Sequence, residues 1–240
     1  MNNPYETDSI LNEYLLMHYG SKTLQMPWSF GPVPKKHFPV RTAQYFPKKQ
    51  VDRALDLGCA VGRASFEMSK WSKEVLGIDY SQNFIETAKK LGKHHTCDYN
   101  VKITGRTEIK AKARLPRGCF SERCNFVQGD VLELPGNLGI FDRVHAENLI
   151  CRLSEPEKFL LKLPDLLVSG GKLLISTPCT WLEEFTPEKH QPHLDTIDWL
   201  KLKLSSEFKL IKKADEPFLI RETARKFQWG VSLVTFWQKL

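Results

Sequence analysis

From residue 51 onward, short apolar runs alternate with segments whose apolar residues recur at helical spacing. ALDLGC predicts a first strand, and the helical pattern after Gly62 carries Phe66 and Met68. KEVLGIDY predicts a second strand, followed by SQNFIETAKKL as a helix with Ser81 as its N-cap. CNFVQGD and FDRVHAENLI predict strands three and four. SEPEKFLLKLPDLLVSGG predicts a helix opening at Ser154 and ending at Gly170-Gly171, and GKLLISTP predicts strand five. LDTIDWLKLKLS reads as a last helix. FKLIKK and WGVSLVTFW then read as two closing strands, joined by the long polar stretch DEPFLIRETARKFQ.

Strands alternating with helices imply right-handed crossovers, a mainly parallel sheet and helices on both faces. The expected class is therefore α/β and Rossmann-like, with an antiparallel C-terminal end. Residues 1–50 differ in character, being rich in Tyr, Trp, Phe and Pro with one helical pattern, SILNEYLLMHYG. They are expected to form a cap over the sheet edge that contributes to the substrate site, leaving 51–240 as the main domain. At 240 residues the chain fits one such domain with an appendage.

Charge changes the picture less than its total suggests. The net charge is +7, but between Gly92 and Gly118 seven Lys and Arg face only Asp98 and Glu108, so five of the excess charges fall in one insertion, residues 92–122. A solvated basic hairpin accounts for that pattern, and a polyanion-binding face is the minority reading. No apolar run approaches the roughly 20 residues that span a bilayer. The sequence MNNPYETDSI lacks the basic and apolar regions of a signal peptide, so a cytoplasmic location without membrane association is expected. Six cysteines without a C-x-x-C pair point to reduced thiols. His94, His95, Cys97, Cys119 and Cys124 lack the paired short spacings of a zinc site, and no metal is expected.

The turn in VDRALDLGCAVGRASFEMSKW carries Gly58 and Gly62 spaced G-x-x-x-G, with Asp56 two positions before the first. A pyrophosphate turn wants G-x-G-x-x-G and no neighbouring carboxylate, and no G-K-[ST] follows to make a P-loop. A cationic, phosphate-free nucleoside fits better. S-adenosylmethionine has a positive sulfonium and ammonium, which Asp56 can attract while Gly58 and Gly62 admit close backbone approach. Asp79, 21 residues after Gly58, ends strand two where it can accept ribose hydroxyls. Asp130 ends strand three, where its carboxylate and the Val131 amide can meet the adenine edge. Cys59 inside the loop, Tyr80 after strand two and Glu147 after strand four complete the expected cofactor set.

LDLGCAVGR, GIDYS, QGDVLELP and GGKLLISTP resemble the class I S-adenosylmethionine-dependent methyltransferases over roughly residues 50 to 240. The resemblance implies a mostly parallel, seven-stranded sheet. A narrower resemblance lies in the flanks: NPYETDSILNEYLLMHYG, FPVRTAQ, PCTWLEEFTPEKH and PFLIRETARKFQWGVSLVTFW are similar to the methyltransferase module of ovothiol biosynthesis. It implies methylation of an imidazole ring nitrogen of 5-thiohistidine to give ovothiol A. It also implies a chain fused to, or acting after, an iron-dependent sulfoxide synthase, none of whose iron-binding machinery is visible here.

Such an acceptor carries a carboxylate, an ammonium and a thiolate on an aromatic ring. Arg221 and Arg225 can clamp the carboxylate bidentately, although a solvent-facing basic loop is an equal reading. Tyr5, Tyr14, Tyr19, Trp181 and Trp229 offer faces for the ring and the sulfonium, although aromatics are more often core. Asn148 can bond the ring, and His18, His145 and Glu184 are candidate bases, each with a structural alternative. Three rival readings stay open: a methyltransferase of another small acceptor, an RNA or protein methyltransferase using the basic insertion, and a noncatalytic partner keeping the fold. Against nucleic acid, ENLICRL stands after strand four in place of an N-P-P-Y-like tetrapeptide.

Overall fold

A computed structural model describes residues 4–32 and 36–240; residues 1–3 and 33–35 of the predicted 1–50 cap lie outside the described residues. Seven strands form the main sheet: β1 (Val51–Leu57), β2 (Ser72–Asp79), β5 (Cys124–Gln128), β6 (Phe141–Glu147), β7 (Leu167–Thr177), β8 (Phe208–Arg221) and β9 (Phe227–Lys239). Two more, β3 (Thr96–Thr104) and β4 (Thr107–Arg114), make a separate hairpin. The order across the sheet is β5-β2-β1-β6-β7-β9-β8. The first five are mutually parallel, and β9 runs antiparallel to both of its neighbours. The expected Rossmann-like sheet with an antiparallel end is the one observed.

From β1 the chain winds outward through β2 to β5, then returns to the other side of β1 as β6. The strand order therefore reverses between β1 and β6, the position where open α/β sheets take their ligands. Local chemistry fixes the neighbouring helices. In α5 (Gln82–His94) Ser81 accepts the Phe84 amide, and Phe84, Ile85, Ala88 and Leu91 form one buried face. In α4 (Arg63–Met68) the N-cap is Gly62, held at φ 78°.

Two expectations need correction. The predicted helix from Ser154 to Gly170 is only α6 (Pro156–Lys162), with Glu155 at its N-cap. Pro164 ends it because proline has no amide to continue the ladder. Gly170-Gly171 then lies inside β7, at a bulge where the register against β6 shifts between Phe141 and Arg143. The stretch expected to link the last two strands is largely strand itself, since β8 continues through DEPFLIR and only residues 222–226 turn. Pro217 is tolerated there because β8 is the edge strand.

The N-terminal segment contributes α1 (Asp8–Tyr19), α2 (Lys22–Gln25) and α3 (Phe38–Ala43). It lies over the carboxyl ends of the strands and also against the edge strand β8. Arg41 on α3 pairs with Glu216 on β8 at 2.7 Å, and Tyr45 donates to the same carboxylate at 2.9 Å. The basic insertion is a hairpin, as predicted, and its inner face has a packing role. Cys97, Tyr99, Val101 and Ala113 are buried in one apolar cluster with Leu15 and Leu16 of α1. Its β3 edge also takes the Ala224 amide on the Ile103 carbonyl at 3.1 Å, so it props both the cap and the β8–β9 turn. Among the described residues no helix is long and apolar enough to cross a membrane.

Candidate active site

A cavity of about 500 Å³ opens where the strand order reverses, floored by the ends of β1, β2, β5 and β6 and roofed by α1. Its size lies in the range of small-molecule sites. Tyr5, Tyr14, Asp56, Gly58, Cys59, Asp79, Tyr80, Asp130, Val131, His145, Glu147, Asn148 and Glu184 all line it, which brings together most of the positions singled out in the sequence.

The loop after β1 is shaped by three left-handed residues, Gly58 (φ 71°), Ala60 (φ 45°) and Gly62 (φ 78°). Gly58 and Cys59 donate their amides to the Ile78 carbonyl, which folds the loop back onto β2. The two glycines serve different ends. Gly58 lines the cavity, whereas a Cβ on Gly62 would stand 2.8 Å from the Phe126 ring and 3.1 Å from Ala88 Cβ. Gly62 thus permits close packing of α4 on β5 and α5, and it does not line the cavity as the sequence reading had it.

Asp79 receives the Ala60 amide on Oδ2 at 2.8 Å and the Ser81 amide on Oδ1 at 2.9 Å. Each oxygen keeps a second lone pair for a hydroxyl donor. Burial raises this carboxyl to about 6, against the lowering by those two amides. Asp130 caps a short turn by accepting the Leu132 amide at 2.8 Å, and it lines the cavity. Asn148 sits at φ 51°, and its Oδ1 accepts from Ser176 at 3.1 Å and Ser232 at 2.8 Å. Its amide NH2 is thereby the end left for a ligand.

Asp56 is buried, and both of its oxygens are engaged. Ser65 donates to one, and His145 Nδ1 lies 2.8 Å from the other. His145 is itself fully buried, with Nε2 at 3.1 Å from Thr42 Oγ1, and Thr42 in turn donates to Glu147 Oε2. Burial raises Glu147 to about 7, opposed by His145 and Thr42. For His145, burial works downward, but Asp56 and Glu147 outweigh it and the net direction is up.

On the roof, the ring of Tyr14 lies 4.9 Å from Phe84 and 5.7 Å from His18, and Tyr5 meets Tyr14 edge-on at 6.2 Å. Burial lowers His18 to about 3, so it is neutral, and its Nδ1 has no partner among the described residues.

Besides Gly62, five of the expected residues lie elsewhere. Arg221 donates to the Leu24 and Thr223 carbonyls, tying α2 to the β8–β9 turn rather than clamping a carboxylate in the cavity. Arg225 stacks over Trp28 at 5.1 Å. Trp229 is exposed on β9. Trp181 packs edge-on against Trp199 and donates to Thr196, and Tyr19 donates to the Val61 carbonyl at 2.8 Å.

Arg152 stands where the distant arginines were expected. Among the described residues it is the one Lys or Arg lining the cavity, against the carboxylates of Asp56, Asp79, Asp130, Glu147 and Glu184. Its guanidinium stacks over Phe185 at 4.8 Å, bonds the Thr180 carbonyl at 3.0 Å, and faces the Tyr5 hydroxyl, whose pKa burial raises and Arg152 lowers. Arg152 lies in no motif that carries a resemblance, and only its placement just after strand four could have pointed to it; Thr42 and Phe185 lie within FPVRTAQ and PCTWLEEFTPEKH, but nothing in those segments singles them out.

A family model described as a methyltransferase domain matches residues 55–175. The chain belongs to this methyltransferase family. Its cofactor is S-adenosylmethionine, with S-adenosylhomocysteine as the product. The residues present fit that group: an acidic cavity suits a cation, and Gly58 leaves its backbone open to close approach. No curated protein matches the sequence.

Solved structures share the fold. The N-methyltransferase NodS from Bradyrhizobium japonicum WM9, in complex with S-adenosylhomocysteine, is 13% identical, covers 95% of this chain and 98% of its own, and superposes with a TM-score of 0.57. The [4+2]-cyclase SpnF is 15% identical over 98% of this chain and 94% of its own, with a TM-score of 0.61. An S-adenosylmethionine-dependent methyltransferase from Methanosarcina mazei is 17% identical over 82% of this chain and 95% of its own, with a TM-score of 0.56. At these identities the likeness speaks for fold alone.

Proposed function

We propose that this methyltransferase transfers a methyl group to an imidazole ring nitrogen of 5-thiohistidine, giving ovothiol A. The observation that carries the reading is the cavity's charge pattern. Among the described residues, a single guanidinium among five carboxylates, under a roof of Tyr5, Tyr14 and Phe84, suits a small aromatic zwitterion beside a cationic cofactor. It suits a polyanion poorly, because phosphates would face the carboxylates. The flanking segments that resemble the ovothiol module lie against this cavity too: NPYETDSILNEYLLMHYG supplies Tyr5 and Tyr14, and PCTWLEEFTPEKH supplies Glu184 and Phe185.

Bound S-adenosylmethionine supplies a methyl carbon made electrophilic by a cationic sulfur. Asp79 would accept the ribose hydroxyls, Asp130 and Val131 would meet the adenine, and Gly58, Cys59 and Tyr80 would line the nucleoside's path. Arg152 would anchor the acceptor carboxylate, taking the role first given to Arg221 and Arg225. Glu184 would face the acceptor ammonium, and the Asn148 amide would orient the ring. The protein's part is alignment and exclusion of water more than activation. The substrate would come from a reaction that places sulfur on the histidine ring, the step assigned to an iron-dependent sulfoxide synthase.

Incubation with S-adenosylmethionine and either 5-thiohistidine or histidine, followed by mass spectrometry, tests the proposal. One methyl gained on the thiohistidine ring, with histidine untouched, supports it. No turnover of 5-thiohistidine by protein that binds S-adenosylhomocysteine refutes the acceptor.

A further inference from the structure

Resting on that reading, we propose that Glu147 is the proton acceptor of the reaction and that Thr42, His145 and Asp56 are positioning residues that share its proton. Four side chains form one continuous path from the cavity to the buried end of β1. Glu147 faces the cavity, Thr42 Oγ1 donates to it, His145 Nε2 lies 3.1 Å from the same hydroxyl, and His145 Nδ1 lies 2.8 Å from Asp56 Oδ1. His145 Nε2 is also 3.8 Å from Glu147 Oε2. Ser65 occupies the remaining Asp56 oxygen, so the buried end is satisfied.

A path of this kind needs a reason to exist. Buried ionisable groups are often replaceable by apolar ones at no loss of stability, and a single His–Asp pair would satisfy its own bonds. Here the network runs on to a carboxylate open to the ligand space, through a hydroxyl that can serve as donor or acceptor. Two proton arrangements follow. With His145 doubly protonated, Nε2–H donates to Thr42 and the Thr42 hydroxyl donates to a Glu147 carboxylate. With Glu147 protonated and His145 neutral, both bonds reverse. The hydroxyl therefore lets one proton reside at either end without moving a side chain.

The chemistry supplies the proton. Methylation of one ring nitrogen leaves the imidazole with a proton in excess on the other. That proton passes to the Glu147 carboxylate, and its bonding pair stays on the ring, so charge and atoms balance. The titratable and charged groups facing Glu147 are His145 on β6, Asp56 on β1, Arg41 on α3 and Tyr14 on α1. Burial holds Glu147 near 7, where a base works best at neutral pH.

The test uses full-length protein in two arms. In the first, kcat for 5-thiohistidine is measured against pH for wild type, Glu147→Gln, Thr42→Val and Thr42→Ser. Glu147→Gln is expected to lose about a hundredfold or more. Thr42→Val should lose about tenfold and move the acid limb upward by about half a unit to one unit, because the carboxylate loses a donor. Thr42→Ser should restore both. In the second arm, His145 is titrated by NMR in ¹³C-histidine-labelled protein without acceptor, and Glu147→Gln should lower its pKa. If 5-thiohistidine is methylated but Thr42→Val keeps the wild-type profile, the shared proton path is overturned and the acceptor assignment stands. If 5-thiohistidine is not methylated, the acceptor reading fails, and the NMR arm still decides: a His145 titration indifferent to Glu147→Gln overturns the path.

Discussion

Asp79 Oδ2 accepts the Ala60 amide at 2.8 Å, which ties the end of β2 to the most strained residue of the cofactor loop. One carboxylate therefore shapes the loop while keeping lone pairs free for the ribose. Asp79→Asn replaces one acceptor oxygen with an NH2 that opposes a backbone amide. It is expected to weaken S-adenosylhomocysteine binding by ten- to a hundredfold, about 1.4–2.7 kcal/mol. Isothermal titration calorimetry checks this, and an affinity within threefold of wild type would remove Asp79 from the site. Because burial raises the carboxyl to about 6, and ligand hydroxyls favour its charged form, wild-type affinity should also fall as pH drops through 6.

Ala60 holds a conformation that costs a β-carbon about 1 kcal/mol and a glycine nothing. Ala60→Gly is expected to keep S-adenosylhomocysteine affinity. Its stability should change by less than about 1 kcal/mol, since released strain offsets added unfolded-state entropy. Ala60→Val, branched at the same carbon, should lose about 2 kcal/mol or more. Urea denaturation of the three proteins measures both. Equal stability of the valine and alanine forms would show that the loop is not strained.

The strand ends were legible because each is marked by an acid that closes an apolar run: Asp79 after GI, Asp130 after QG, Glu147 after HA. Period and punctuation locate such residues to within a turn. The roof was half legible. Tyr14 stands on the helix the pattern predicts and Tyr5 in the short turn before it, but nothing in the pattern separates Tyr14 from Tyr19, whose hydroxyl turns back to the Val61 carbonyl. Arg221 looked like a ligand clamp because charge is visible in sequence and burial is not; its guanidinium is consumed by backbone carbonyls. Thr42 was illegible for a different reason. Its role depends on α3 lying against β6, where Thr42 meets His145 and Glu147 across 103 and 105 residues.

His18 gives a second handle on the roof. It is buried and neutral, with burial lowering it to about 3, while an unfolded histidine titrates near 6.5. The unfolded state therefore binds more protons between those values, so stability rises with pH across that window and is lost on acidification. His18→Leu removes this dependence. At pH 5 wild type should lose about 1–2 kcal/mol relative to pH 8 through His18, and the variant should not. Thermal melts at the two pH values decide it. Equal losses in both proteins would mean that His18 is hydrated in the folded state.

Arg152 and Arg221 separate the two kinds of arginine in this fold. Arg152 lines the cavity with its guanidinium over Phe185, whereas Arg221 is buried beneath the β8–β9 turn. Arg152→Ala is expected to raise the acceptor KM by tenfold or more, the loss of a charge-assisted bond worth about 1.5–3 kcal/mol, while S-adenosylhomocysteine affinity changes little. Arg152→Lys should recover only part of it, because an ammonium cannot keep the bonds to Cys151 and Thr180 that position the guanidinium and also meet a carboxylate. Arg221→Ala should behave in the opposite way. It leaves the Leu24 and Thr223 carbonyls without their donor, so it should cost about 1–3 kcal/mol of stability and leave KM within twofold. Steady-state kinetics paired with denaturation curves distinguish them. A KM effect confined to Arg221→Ala would return the acceptor carboxylate to the β8–β9 turn and empty Arg152 of its role.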